Sequence, residues 1–113
     1  MSLFLEKLKQ EKSVMRSVDI DENFYAILGE LAIKYKTSIN KLVVIAIEEL
    51  LRTKKVAVYK RDPNIGTVSR SYRLKKNLLT GLENLKSEYG DLALYRLVNI
   101  AIRNALIEEK LLK

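Results

Sequence analysis

Neither cysteine nor histidine occurs among the 113 residues. The first absence excludes a disulfide framework and thiolate metal sites. The second removes the commonest general base and the commonest metal ligand. No apolar run approaches the ~20 residues that a helix needs to cross a bilayer. No basic segment followed by an apolar stretch and a cleavage site opens the chain, so a secretory leader is not expected. A phosphate-binding glycine loop and a nucleophile–base set are missing too. Glu48 and Glu49, like Glu108 and Glu109, are adjacent on helical segments, where neighbouring side chains diverge, so they make no acid–base pair. The expectations are therefore no enzyme, no cofactor, no metal, no membrane, no small-molecule ligand, and an intracellular location, in the cytoplasm of a cell or of a host.

What is present is an apolar share of 48%, enough for a packed core, and a net charge of +7 with pI ≈ 9.6. The length suits one domain. The basic surplus suggests a polyanionic partner, although charge alone does not separate nucleic acid from acidic lipid or simple solubility.

The most informative feature is a repeat. Val68-Ser69-Arg70-Ser71-Tyr72-Arg73-Leu74 alternates as a half-buried strand does, with Val68, Arg70, Tyr72 and Leu74 on one face and Ser69, Ser71 and Arg73 on the other. Fifty-four residues earlier stands Val14-Met15-Arg16-Ser17-Val18-Asp19-Ile20, with Val14, Arg16 and Ser17 identical to their counterparts. Farther on, Leu97-Val98-Asn99-Ile100-Ala101-Ile102 repeats Leu42-Val43-Val44-Ile45-Ala46-Ile47 with only the third position changed, now at an offset of 55. Two units of one structure are implied.

In chain order, residues 1–12 read as an amphipathic segment carrying Leu3, Phe4, Leu5 and Leu8, expected to dock on the domain itself or on a partner, a second copy of the chain included. Residues 13–54 form the first unit. Its strand leads to Asp21, a candidate helix cap, and then to a helix reaching about Lys36 with a stripe of Phe24, Ile27, Leu28, Leu31 and Tyr35. Thr37 and Ser38 break the stripe, and a second helix runs from about Ile39 to Thr53. That helix is apolar nearly all round, which predicts burial on more than one side. Residues 55–66 are a basic linker with an extended Val56-Ala57-Val58-Tyr59 stretch and a turn at Asp62-Pro63-Asn64-Ile65-Gly66. Residues 67–113 are the second unit, with helices at about 76–89 and up to about Lys110; Gly90 suits a helix C-cap and Asp91 the cap of the last helix.

One strand and two helices cannot bury their own apolar face, and an unpaired strand leaves its backbone groups without partners. Pairing of residues 14–20 with residues 68–74, antiparallel over four helices, solves both problems. In this order the short alternating strand, the helix that follows at once, the polar turn at Thr37-Ser38 or Asp91, and the small residue Ala46 or Ala101 in the second helix resemble the ribbon-helix-helix family of DNA-binding proteins, the group of the Met and Arc repressors. The tandem, basic form is similar to regulators of archaeal viruses. The resemblance implies a mainly α fold with a short antiparallel two-stranded ribbon, two tandem units making one intertwined pseudo-dimeric domain. It implies a sequence-specific transcription regulator of double-stranded DNA that inserts the ribbon in the major groove.

Carried over by position, the base-reading set is Met15, Ser17 and Asp19 with Ser69, Ser71 and Arg73. Arg73 is the strongest member, and Asp19, a carboxylate that repels phosphate, is suited only to accepting from cytosine N4. The phosphate-contacting set is Thr37, Ser38, Asn40 and Lys41, then Tyr95 and Arg96, with Arg16 and Arg70 expected at the strand ends. Ala93 stands where Ser38 stands, so the second copy lacks that hydroxyl. The alternative is a helical protein-interaction module, antitoxin-like or a DNA-coating structural protein.

Overall fold

Alternation in two short stretches of sequence sets the frame on which everything else is laid. In the computed structural model, which describes residues 13–112, strand β1 (Ser13–Asp21) pairs antiparallel with strand β2 (Thr67–Lys75). Ser17 faces Ser71 at the centre, and the register runs from Ser13 opposite Lys75 to Asp21 opposite Thr67. Each strand is one residue longer at both ends than its alternation alone suggests. The parity holds: Val18, Ile20, Tyr72 and Leu74 are buried, whereas residues 15, 17, 19, 69, 71 and 73 are exposed. The amphipathic segment 1–12 lies outside the described residues.

Each strand leads into two helices. β1 is followed by α1 (Glu22–Lys34) and α2 (Ile39–Thr53), β2 by α3 (Lys76–Glu88) and α4 (Leu94–Glu108). The buried ribbon face rests on the helices, and α2 packs chiefly against α4. Burial all round, expected for α2, belongs instead to α4. All six residues from Leu97 to Ile102 are buried, while Ile45 on α2 is 51% exposed. The two helices share a sequence block, but only α4 is covered on every side. Among the described residues no helix is long and apolar enough to cross a membrane.

The turns between helices are built alike in both halves. After α1, Thr37 N donates to Ala32 O at 2.9 Å with Lys36 in the left-handed region (φ 51°); after α3, Asp91 N donates to Lys86 O at 3.0 Å with Gly90 there (φ 68°). This is the six-to-one bond of a Schellman C-cap, for which glycine is the usual residue. The extra residue in the second turn puts Asp91 itself at φ 61°, so it does not cap α4. Ala93 holds the N-cap position without a side-chain bond, whereas Ser38 caps α2 by accepting from Lys41 N at 3.1 Å. Asp21 stands at the N-cap of α1 but also makes no cap bond. Its carboxylate is engaged by the linker, which forms no strand at Val56–Tyr59 and instead folds back across the end of β1.

The core holds one orphan. Among the described residues the buried Tyr72 hydroxyl has no hydrogen-bond partner, and burial, with a smaller push from Tyr25, raises it to about 12. Tyr72→Phe is expected to raise stability by ~1 kcal/mol, because an unsatisfied buried hydroxyl is removed without loss of ring packing. Because the folded state holds this proton more tightly, the stability of the fold is untouched by its titration below about pH 10, the tyrosine's unfolded value, and is lost as pH rises toward 12. Chemical denaturation at neutral pH and at about pH 11 checks both points: the variant should lose less stability than the parent on the alkaline side.

Candidate nucleic-acid interface

The exposed face of the ribbon carries Met15, Ser17 and Asp19 from β1 and Ser69, Ser71 and Arg73 from β2, brought together as three cross-strand pairs. Met15 faces Arg73 at one end, the two serines meet at the centre, and Asp19 faces Ser69 at the other end. Ser69 Oγ donates to the Asp19 carboxylate. One end therefore presents an exposed guanidinium beside Lys75, and the other a carboxylate already engaged by a hydroxyl. These six side chains span nothing resembling a catalytic arrangement, and among the described residues no cluster of acidic side chains could hold a metal.

A ribbon of only two strands has both edges open, and backbone groups at alternate residues point away from the partner strand. Two asparagines close these edges. The Asn40 amide, in the first turn of α2, donates to Arg73 O at 3.0 Å and accepts from Arg73 N at 2.7 Å. An amide side chain carries the same donor and acceptor as a peptide, so Asn40 acts as one residue of a third strand. On the opposite edge Asn99 of α4, only 1% exposed, accepts from Asp21 N at 2.9 Å and donates to Asp19 O at 2.9 Å and Tyr95 O at 2.7 Å. Asp19 and Arg73 are the same position of the two sequence copies, 54 residues apart. Each is held by a helix of the other half, and each is a residue whose side chain faces outward.

The Asp19 end is held further by the linker. The Asp21 carboxylate accepts from Tyr59 Oη at 2.8 Å and from Arg61 Nε at 2.6 Å. Burial, followed by the bond to Asp21, pushes the Tyr59 hydroxyl well above its ordinary value. The Tyr59 ring meets Phe24 edge-on at 6.0 Å and lies between the guanidinium groups of Arg96, at 5.1 Å, and Arg103, at 4.9 Å. Farther along, Glu22 N donates to Gly66 O at 3.0 Å and Gly66 N donates to Glu22 Oε1 at 3.1 Å, which fixes the entry to β2.

The expected phosphate-contacting residues are scattered by these bonds. Lys41 and Ser38 sit exposed at the start of α2, with half-buried Thr37 just before them. Asn40 is turned onto the Arg73 backbone, and Arg96 donates to Tyr59 O at 2.9 Å, so neither side chain is presented as expected. Tyr95 is exposed at 41%. Arg16 and Arg70 are exposed but flank the ribbon centre, opposite Tyr72 and Val18, rather than its ends, because the strands extend beyond the alternating core of their sequence. Exposed Lys75 and Lys76, where β2 passes into α3, join the basic end and were not singled out by the repeat. The one signal for Asn99 in the sequence is that it alone breaks the repeated apolar block. Asn40 is singled out by position as a phosphate contact, and nothing local marks it or Tyr59 for the bonds they make. Neither family models, nor curated proteins, nor solved structures yield a match to this chain.

Asn99→Val, which restores the residue of the first copy, leaves the Asp21 amide and the Asp19 carbonyl without their partner. It is expected to cost ~2–4 kcal/mol, since each orphaned buried group costs about 1–3 kcal/mol. Asn40→Ala, at a wetter edge where water can substitute, should cost nearer ~1 kcal/mol. Amide hydrogen exchange checks the assignment residue by residue: protection should fall at Asp21 in the first variant and at Arg73 in the second. Equal loss at both residues in either variant would contradict separate holds on the two edges.

Proposed function

We propose that this chain is a sequence-specific regulator of transcription that inserts its ribbon into the major groove of double-stranded DNA. On this proposal the two sequence copies are tandem ribbon-helix-helix units folded as one intertwined pseudo-dimeric domain. The observation that carries it is the ribbon face itself: five polar side chains and Met15 in three cross-strand pairs, on a strand pair whose backbone is held at Arg73 and Asp19 by helices beneath. A two-stranded ribbon fits the width of the major groove. A +7 chain supplies the long-range attraction to phosphates.

Within the interface the roles divide by chemistry. Arg73 reads guanine O6 and N7, its backbone anchored by Asn40 so that the side chain starts from a fixed point. Ser17, Ser71 and Met15 fill the central and near positions. Asp19, with Ser69 as donor, is a hydrogen-bonding unit suited to cytosine N4 rather than to phosphate. Lys41, Arg16, Arg70, Lys75 and Lys76 are the exposed cations that would neutralise the backbone. A symmetric dimer reads a palindrome because its axis matches that of the site. Here the two ends of the ribbon differ, so the target is non-palindromic.

Arg73→Ala should weaken binding to the preferred site by ~1–3 kcal/mol and relax the base preference at one position only. Lys41→Ala should weaken all sequences alike. Selection from a randomised DNA library by each variant tests the division, and an unchanged preference in Arg73→Ala would place the reading face elsewhere. Independently, about five phosphate contacts predict that log affinity falls against log salt with a slope of roughly −4 to −5. A salt-independent affinity, measured by titration across buffers, would remove nucleic acid as the partner and leave protein interaction as the alternative.

A further inference from the structure

The two flanks of the ribbon are built from equivalent residues but carry their positive charge differently. Lys41 in the first turn of α2 and Arg96 in the first turn of α4 are the same position of the repeated block, 55 residues apart. Lys41 is exposed, next in the chain to Asn40, which holds Arg73. Arg96 is half-buried and donates to Tyr59 O at 2.9 Å. The peptide that accepts this bond joins Tyr59 to Lys60, and Lys60 is exposed. We propose that Lys60 takes over the phosphate contact that Arg96 gives up, so that the linker is a third contributor to the DNA interface. This inference rests on the reading of the ribbon as a major-groove element.

The linker is fixed on both sides of Lys60. Tyr59 Oη donates to the Asp21 carboxylate at 2.8 Å, and Arg61 Nε donates to it at 2.6 Å. Asp21 faces Thr67 at the end of the ribbon, two residues and about 7 Å along the strand from Asp19. The backbone of Lys60 is therefore held between two residues bound to one carboxylate, and ordering a contact residue costs less when its backbone is already fixed. The neighbouring cations are committed elsewhere. Arg61 also donates to Ile65 O, and Arg103 lies over the Tyr59 ring at 4.9 Å. Arg61, Arg96 and Arg103 are all half-buried, and of the cations gathered around Tyr59 only Lys60 is exposed. Among the described residues Lys60 makes no ion pair. Asp62, the acid nearest to it in the chain, accepts from Asn64 N at 2.9 Å. Lys54 and Lys55 are exposed as well, but at the far end of the linker. Asn104 Nδ2 donates to Lys55 O at 2.8 Å, and Asn104 lies eight residues along α4 from Arg96, about 12 Å away. Over that distance salt screens one charge from the surroundings of the other.

The test is the salt dependence of affinity for the duplex preferred in the library selection, measured with the full chain from about 50 to about 200 mM salt. Each phosphate contact steepens the slope of log affinity against log salt by ~0.9. Lys60→Gln should flatten the slope by that amount, so that the parent loses about 3.5-fold more affinity than the variant across this range. Lys60→Arg should keep the parent slope. Lys55→Gln removes the same charge from the far end of the linker and should keep it too. An unchanged slope in Lys60→Gln, beside a flattened one in Lys41→Ala, would overturn the inference and leave the ribbon's role standing. Equal flattening by Lys55→Gln and Lys60→Gln would overturn it as well, because the effect would then be one of net charge. A parent whose affinity does not respond to salt would remove the ribbon's role and this inference together.

Discussion

A two-stranded ribbon is marginal by itself, because half of its backbone groups point outward with no strand to pair with and only one face can be buried. The structure depends on solving that problem at Arg73 and Asp19. Asn40 closes one edge with a donor and an acceptor aimed at a single residue, and Asn99 closes the other by bridging two. In each case the helix that closes an edge belongs to the opposite half of the chain from the strand it closes. Neither half can be completed without the other, which is why the apolar blocks of both copies end in one shared core rather than in two.

The edges are not closed by equivalent residues. Asn40 lies in the first turn of α2, where the groups it meets are wet; Asn99 lies a turn deeper in α4, buried among Val98, Ile100 and Ala101. A buried amide is tolerated only when its hydrogen-bonding capacity is used, and Asn99 makes three bonds. The difference follows through the neighbourhood. On the Asn99 side the linker adds Asp21, Tyr59 and Arg61 in a connected set of charge-assisted bonds, and draws Arg96 inward with it. The Asn40 side is left open and basic. Two copies that began alike in sequence thus present a stiff, partly neutralised end and an open, cationic one.

Much of the frame was legible in the sequence because it depends on local periodicity. Alternation in residues 14–20 and 68–74 set the parity of the strands, and the repeat implied that they pair, with Ser17 opposite Ser71 as found. The four helices lie where their apolar stripes put them, with ends displaced by one or two residues where Lys36 and Asp91 take left-handed conformations. What could not be read were bonds between residues far apart in the chain. A carboxylate before a helix looks like a cap, yet Asp21 is claimed by Tyr59 and Arg61 some forty residues on. Arg96 looks like a phosphate ligand until the linker crosses it. Such contacts leave no period in the sequence, since they depend on where the linker runs and not on the element to which a residue belongs.

Asp19 shows what kind of surface the ribbon face is. A carboxylate on the face of a basic protein meant to approach phosphates lowers affinity for every sequence, and a design for non-specific attraction would omit it. The structure does not hide it. Its backbone is anchored by Asn99, its side chain is exposed, and Ser69 Oγ supplies one hydrogen bond while leaving acceptor capacity for another. On the proposed function this is a device of discrimination: a base offering a donor at that place satisfies the carboxylate, and a base offering an acceptor leaves two acceptors facing one another in a dehydrated groove. Specificity is a difference of affinities, and a group that penalises wrong partners contributes to it even while reducing attraction to all. On the same proposal Arg73 would favour the right base at one end of the ribbon and Asp19 would disfavour the wrong base at the other. A site read by such a pair has a direction, which a homodimer of either copy alone would be unable to supply.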